Sequence, residues 1–138
     1  MLPILPSVMV NQFGNYLCQK IIEMADPETL NKIVMSTLGQ IVDISLNIHG
    51  TRAIQTLIDR LAKYIHQDSS NSLNHYNLMQ VIGALNTEIV ELTMDMHGNH
   101  VIQAFLMIFK ASESPSDADG LGSEITSQYT QFIFEACM

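Results

Sequence analysis

One seven-residue block occurs three times in this chain: Phe13-Gly14-Asn15-Tyr16-Leu17-Cys18-Gln19, His49-Gly50-Thr51-Arg52-Ala53-Ile54-Gln55 and His97-Gly98-Asn99-His100-Val101-Ile102-Gln103. Each copy reads ring, Gly, small polar residue, planar π group, two apolar residues, Gln. The first two copies start 36 residues apart and the third 48 further on. A period of that size belongs to helical solenoids, whose units cannot bury their apolar faces alone and stack into a shared core. The surplus of 12 matches the polar run from His66 to Asn77, which reads as a surface insertion over residues 66–77.

Within each block the residue after Gly and the Gln four later share one helix face, one turn apart, with the planar residue projecting beside them. The polar pairs are Asn15/Gln19, Thr51/Gln55 and Asn99/Gln103, and their planar neighbours are Tyr16, Arg52 and His100. Single-stranded RNA is read by stacking splayed bases on aromatic or guanidinium planes and hydrogen-bonding their edges, so each trio supplies what one base needs. A solvated helix face would explain one copy. It does not explain three in the same register, since Glu or Lys would serve solubility as well as Gln.

These blocks resemble those of the Pumilio (PUF) family of RNA-binding proteins. The resemblance implies an all-α, right-handed helical-repeat solenoid, an armadillo-like superhelix of which this chain holds a partial array. It implies base-edge contacts from Asn15, Gln19, Thr51, Gln55, Asn99 and Gln103, and base stacking by Tyr16, Arg52 and His100. Asn15/Gln19 and Asn99/Gln103 resemble uracil readers. Thr51/Gln55 resembles the adenine reader, in which Cys or Ser is the more usual partner of Gln. No block carries Glu in the fifth position, so guanine is not expected. Because the family lays RNA antiparallel to the protein, the implied core is 5′-UAU-3′. Its wider implications are binding to mRNA 3′UTR elements, recruitment of deadenylase subunits for repression or decay, and a cytoplasmic location.

Composition bears on this in two ways. With 138 residues and 47% hydrophobic content, the chain is long enough for a substantial core. Its apolar runs fall well short of the roughly 20 residues that span a bilayer, and Met1-Leu2-Pro3-Ile4-Leu5-Pro6 lacks the basic start of a secretory signal. The net charge of −8, with six basic residues, is unusual for a nucleic-acid binder, and the expectation is that Lys20 and Arg52 lie near the reading face with the acids opposite. Cys18 and Cys137 are expected to be buried thiols, and the nine methionines core filler. His97 and His100, three apart, have no Cys or carboxylate to complete a metal site, so neither metal nor cofactor is expected.

Helical spacing then divides the chain into repeat units at about 1–25, 26–64 and 77–110, with part of a fourth at 124–138 and a second insertion at 111–123. Reading helices are expected from Asn15 to Met24, from Gly50 to about Tyr64, and over the third block. Asp26-Pro27 marks a helix start, with Asp as N-cap and Pro in the first turn. The apolar stripe of 124–138 has no polar cap, so both ends are expected to continue into a longer array. A different class of function, a helical scaffold that binds protein in its concavity, is separated from RNA binding by the recurrent planar residue between Asn or Thr and Gln.

Overall fold

A computed structural model describes residues 4–68 and 70–112, and among them every regular element is helical. The helices are α1 (Leu5–Met9), α2 (Gly14–Met24), α3 (Pro27–Thr37), α4 (Ile41–Leu46), α5 (Gly50–Gln67), α6 (Ser72–Asn86), α7 (Ile89–Met94) and α8 (Gly98–Ser112), with a 3-10 turn at Leu38–Gln40 between α3 and α4. The three blocks open α2, α5 and α8. These pack as consecutive neighbours, α2 on α5 and α5 on α8, while α3 packs on α6 in a second layer. Each short helix, α1, α4 or α7, braces the block helix that follows it. The chain is therefore a helical-repeat solenoid whose equivalent faces line up from unit to unit.

The core is one cluster threaded through both layers, including Ile22, Leu30, Val34, Leu57, Leu61, Leu78, Leu85, Val101 and Phe105. Helical periodicity selects these residues. In α5, Ile54, Leu57, Ile58 and Leu61 are all fully buried and recur at the three- and four-residue spacing of one stripe. Cys18 is also buried, as expected. On α2, by contrast, Leu17, Ile21 and Met24 stay exposed, although the matching α5 residues Ala53 and Leu57 are buried. The apolar surface expected of α2 thus splits into a buried side and an open one.

The expected helix start at Asp26 is present: its Oδ1 accepts the Thr29 N–H at 2.7 Å, with Pro27 in the first turn. The block glycines serve a different need. None of the described residues has positive φ, so conformational freedom is not what they supply. A Cβ on Gly50 would strike the Ile44 carbonyl oxygen and lie 2.8 Å from Ile44 Cγ2, and one on Gly98 would lie 2.8 Å from the Leu92 carbonyl oxygen. Glycine lets the first turn of each block helix rest on the carbonyl end of the short helix before it.

The polar stretch 66–77, expected to be a surface loop, is mostly helix. α5 continues past Tyr64 to Gln67 and α6 begins at Ser72, so only residues 68–71 join them. The cause is that its amides are used internally. Asn71 Oδ1 accepts the Leu73 N–H at 3.0 Å and so caps α6, and Asn74 Nδ2 donates to the Tyr64 carbonyl at 3.4 Å. Asn77 accepts from Asn31 Nδ2 at 2.7 Å and donates to the Pro27 carbonyl at 3.3 Å. The surplus residues lengthen a hairpin: α5 has 18 residues against 11 in α2, and α6 has 15 against 11 in α3. Tyr64 fixes the extension to the first unit, donating from Oη to the Ala25 carbonyl at 2.7 Å, while the Arg60 guanidinium stacks 4.5 Å from its ring centre. The second expected insertion also begins late, since α8 runs to Ser112. The expectations for the rest of 111–123 and for 124–138, Cys137 included, fall outside the described residues.

Candidate nucleic-acid interface

Each block helix is started by a side chain three residues before its glycine. Asn11 Oδ1 accepts the N–H groups of Phe13 and Gly14, both at 2.9 Å. Asn47 Oδ1 accepts those of His49 and Gly50 at 2.8 and 2.9 Å, and Asp95 Oδ2 those of His97 and Gly98, both at 2.8 Å. These bonds satisfy donors that the first turn of a helix leaves free. They also hold the Asp95 carboxyl below its usual pKa, since both N–H groups favour the charged form.

The residue after each glycine points into this start. Asn15 donates both amide hydrogens to backbone, to the carbonyls of Asn11 at 2.9 Å and Gln12 at 3.0 Å. Asn99 does the same to Asp95 at 2.7 Å and Met96 at 3.0 Å. The amide oxygen must then face the helix's next turn, where it accepts Nε2 of the block's Gln: Gln19 to Asn15 at 3.0 Å and Gln103 to Asn99 at 2.9 Å. In the second block Thr51 Oγ1 accepts from Gln55 Nε2 at 3.3 Å and donates to the carbonyl of His97 at 2.9 Å.

All three glutamines are thus held by Nε2, which leaves each a second N–H beside Oε1, a donor and an acceptor side by side. Asn15 and Thr51 are themselves buried, Asn99 and Gln19 partly so, and Gln103 is exposed. The outward part of each pair is therefore the Gln, with the residue after Gly behind it.

The planar groups Tyr16, Arg52 and His100 are all exposed. A groove of about 560 Å³ brings together Gln19 from α2, Thr51, Arg52 and Gln55 from α5, and His100 from α8, with Ile48, Thr56, Asp59 and His97 completing its walls. Tyr16, Asn15, Asn99 and Gln103 do not line it. Thr56 Oγ1 lies 3.0 Å from the Arg52 carbonyl and 3.4 Å from Gln19 Oε1, so it reaches across from α5 to the first block's Gln.

Charge is distributed differently from the expectation. Arg52 does line the groove, but Lys20 pairs with Glu23 on its own helix at 3.3 Å. Asp59 stands in the groove rather than on the opposite face, and partial burial raises its carboxyl pKa against a smaller opposing pull from Lys63. No group of three metal-ligating side chains occurs among the described residues, and no described helix is long and apolar enough to cross a membrane. Sequence reasoning missed Asn11, Asn47 and Asp95, whose signal is a short polar acceptor three before each block glycine. Thr56 and Asp59 had no such recurring signal.

Comparison with known proteins bears on the repeats that carry these residues. The model of the Pumilio-family RNA binding repeat matches residues 6–36, 40–62 and 88–107, more than half of the chain. The unmatched stretch between the second and third segments is the lengthened α5–α6 hairpin. A Pumilio domain-containing protein of Schizosaccharomyces pombe is 46% identical over 57 residues, 41% of this chain and 8% of that protein. The putative pumilio homolog 8 of Arabidopsis thaliana is 36% identical over 63 residues, 44% of this chain and 12% of its own length. Among solved structures, the Puf4 RNA binding domain bound to the HO endonuclease RNA 3′ UTR recognition sequence superposes with a TM-score of 0.63 at 28% identity, covering 96% of this chain and 44% of that one. The chain thus spans about a tenth of the length of these curated relatives and under half of the solved domain.

Proposed function

Since this chain belongs to the Pumilio family of RNA-binding repeat proteins, we propose that it is a module for sequence-selective binding of single-stranded RNA, each block taking one base. The groove that gathers Gln19, Gln55, Arg52 and His100 from three successive block helices carries this reading. A base seated there would meet a donor–acceptor pair from a held Gln, with a guanidinium or imidazole plane available for stacking. The Puf4 structures, bound to RNA 3′ UTR recognition sequences, support the same ligand class.

In this reading Asn15/Gln19 with Tyr16 takes uracil, Thr51/Gln55 with Arg52 takes adenine, and Asn99/Gln103 with His100 takes uracil. The RNA runs antiparallel, so the third block meets the 5′ base of a 5′-UAU-3′ core. The repeat units are about 1–25, 26–67 and 72–110, the second and third meeting at the tip of the α5–α6 hairpin, with 124–138 proposed to begin a fourth. Binding to mRNA 3′UTR elements in the cytoplasm, with a deadenylase complex as protein partner and repression or decay as outcome, completes the proposal. The chain then acts as a binding module and not as an enzyme.

Selection of RNA ligands from a random pool with the intact protein tests the assignment. Enrichment of UAU is the expected result. Recovery of G or C at either outer position would reject it.

A further inference from the structure

The second block is anchored unlike the other two. Asn15 and Asn99 bond to carbonyls of the turn just before their own helix, whereas Thr51 donates to His97, 46 residues on, in the third block. A hydroxyl has one proton. With that proton given to His97 at 2.9 Å, Thr51 Oγ1 is left as an acceptor, and the only orientation of Gln55 that suits it places Nε2 inward and Oε1 outward. A free hydroxyl could turn and donate to Gln55 Oε1, and the amide could then flip, exchanging donor for acceptor at the base edge.

The peptide that receives this proton is itself gripped. Its Gly98 N–H donates to Asp95 Oδ2 at 2.8 Å, and its His97 oxygen also accepts the His100 N–H at 3.2 Å. The chain of bonds runs from the cap of α8, through one peptide, to the Gln of α5. The first junction is joined differently: the His49 oxygen accepts the Arg52 N–H and Asn15 does not reach it, and the second unit touches Gln19 through the longer Thr56 Oγ1 contact of 3.4 Å instead.

We propose that Thr51 is a positioning residue through which the backbone of the third block sets the orientation of Gln55, so that base selectivity in the second block depends on the seating of the third. The inference rests on the RNA-binding reading above. It adds to that reading a coupling between neighbouring units that runs from the residue after Gly to a backbone carbonyl of the next block, at the second junction and not at the first.

Competition fluorescence anisotropy with the intact protein tests it, using oligonucleotides that carry A, U or C at the middle of the core or C at either outer position. Thr51→Ser keeps the hydroxyl and retains the middle-base ratio within twofold. Thr51→Val keeps the shape but removes the proton and the acceptor. It lowers the preference for A over U at the middle position at least fivefold and leaves outer selectivity unchanged. Thr51→Asn, which copies the local anchoring of Asn15 and Asn99, keeps Gln55 held but to its own unit.

Combination with His100→Ala then separates coupling from packing. The affinity losses of His100→Ala and Thr51→Val depart from a simple product by more than twofold, because both disturb the same junction, whereas those of His100→Ala and Thr51→Asn multiply. An unchanged middle-base ratio in Thr51→Val overturns the inference, as does a coupling that survives in Thr51→Asn, and the latter decides the matter even where the Val variant unfolds. Wild-type protein without preference at any of the three positions overturns the RNA-binding reading and this inference with it. Intact outer preferences with an indifferent Thr51 overturn the inference alone.

Discussion

Asn15 cannot turn its amide away from Gln19: both of its hydrogens are fixed on the carbonyls of Asn11 and Gln12, so Oδ1 faces Gln19 Nε2 at 3.0 Å. A carboxylate at position 19 would set oxygen against oxygen. Gln19→Glu alone is therefore expected to weaken RNA binding without gaining guanine. Gln19→Glu with Asn15→Ser, whose hydroxyl can donate to the new carboxylate, is expected to shift preference from uracil to guanine. A good base-edge contact is worth roughly 1–3 kcal/mol in protein–DNA recognition, the scale expected here. Base-selectivity profiles of both variants of the intact protein check this, and a single substitution that switches preference by itself would show that Asn15 does not dictate the orientation of Gln19.

Two glycines test the packing against each other. Gly50→Ala brings a methyl onto the Ile44 carbonyl, whereas a Cβ on Gly83 meets nothing within 4 Å. The first is expected to destabilise by about 1–3 kcal/mol as an overpacked contact. The second, inside α6, is expected to stabilise by about 0.5–1 kcal/mol through helix propensity. Urea unfolding measures both, and a Gly50→Ala protein as stable as wild type would mean that the block helix does not need its close approach to α4.

Asp95 makes the start of the third block sensitive to acid in a way that the first two, capped by the neutral amides of Asn11 and Asn47, are not. Its folded-state pKa lies below the ordinary 3.8, so the carboxylate's contribution is complete above that value. It is lost as pH falls from 3.8 through the depressed folded pKa. Amide protection at His97 and Gly98 is expected to fall in that window, ahead of protection at His49 and Gly50. In Asp95→Asn the difference between the blocks should disappear. Loss of protection at all three block starts together would argue against the assignment.

The blocks themselves were legible because a helix face needs the same residue at the same phase in every unit. The caps were legible only in part: Asp26-Pro27 announces a helix start, but Asn11 and Asn47 look like loop residues until their oxygens are seen on backbone N–H groups. The 66–77 stretch misled for the opposite reason. Asparagine is commonly solvated, and composition does not reveal that Asn74 and Asn77 are buried with partners 10 to 50 residues away. Asp59 escaped notice because neither Glu23 nor Met107, its counterparts one turn past Gln19 and Gln103, marks the position as special.

Electrostatics set the expected strength of binding. Arg52 is the basic side chain among the groove residues, Asp59 opposes it, and the chain carries a net charge of −8. The slope of log affinity against log salt is expected to be shallower than about −1.4, the value for two phosphate contacts on a single strand. Stacking and edge contacts at three bases are expected to give these 138 residues no better than about micromolar affinity, near −8 kcal/mol. Asp59→Asn, which removes the anion without changing shape, is expected to strengthen binding to every oligonucleotide alike. Anisotropy across a salt series checks all three expectations, and nanomolar binding by these 138 residues would contradict the second.

The long α5–α6 hairpin has a consequence for how this repeat could change in length. An α-helix turns once in about 3.6 residues, so the excess of α5 over α2, 18 residues against 11, is close to two whole turns. The excess of α6 over α3, 15 against 11, is close to one. Additions of that size are nearly neutral in azimuth: they extend the unit along its axis while every stripe keeps its heading. The hairpin tip is therefore a place where the protein can be made taller or shorter in steps of a turn, and where a foreign helical segment could be spliced, without rotating Gln55 out of line with Gln19 and Gln103.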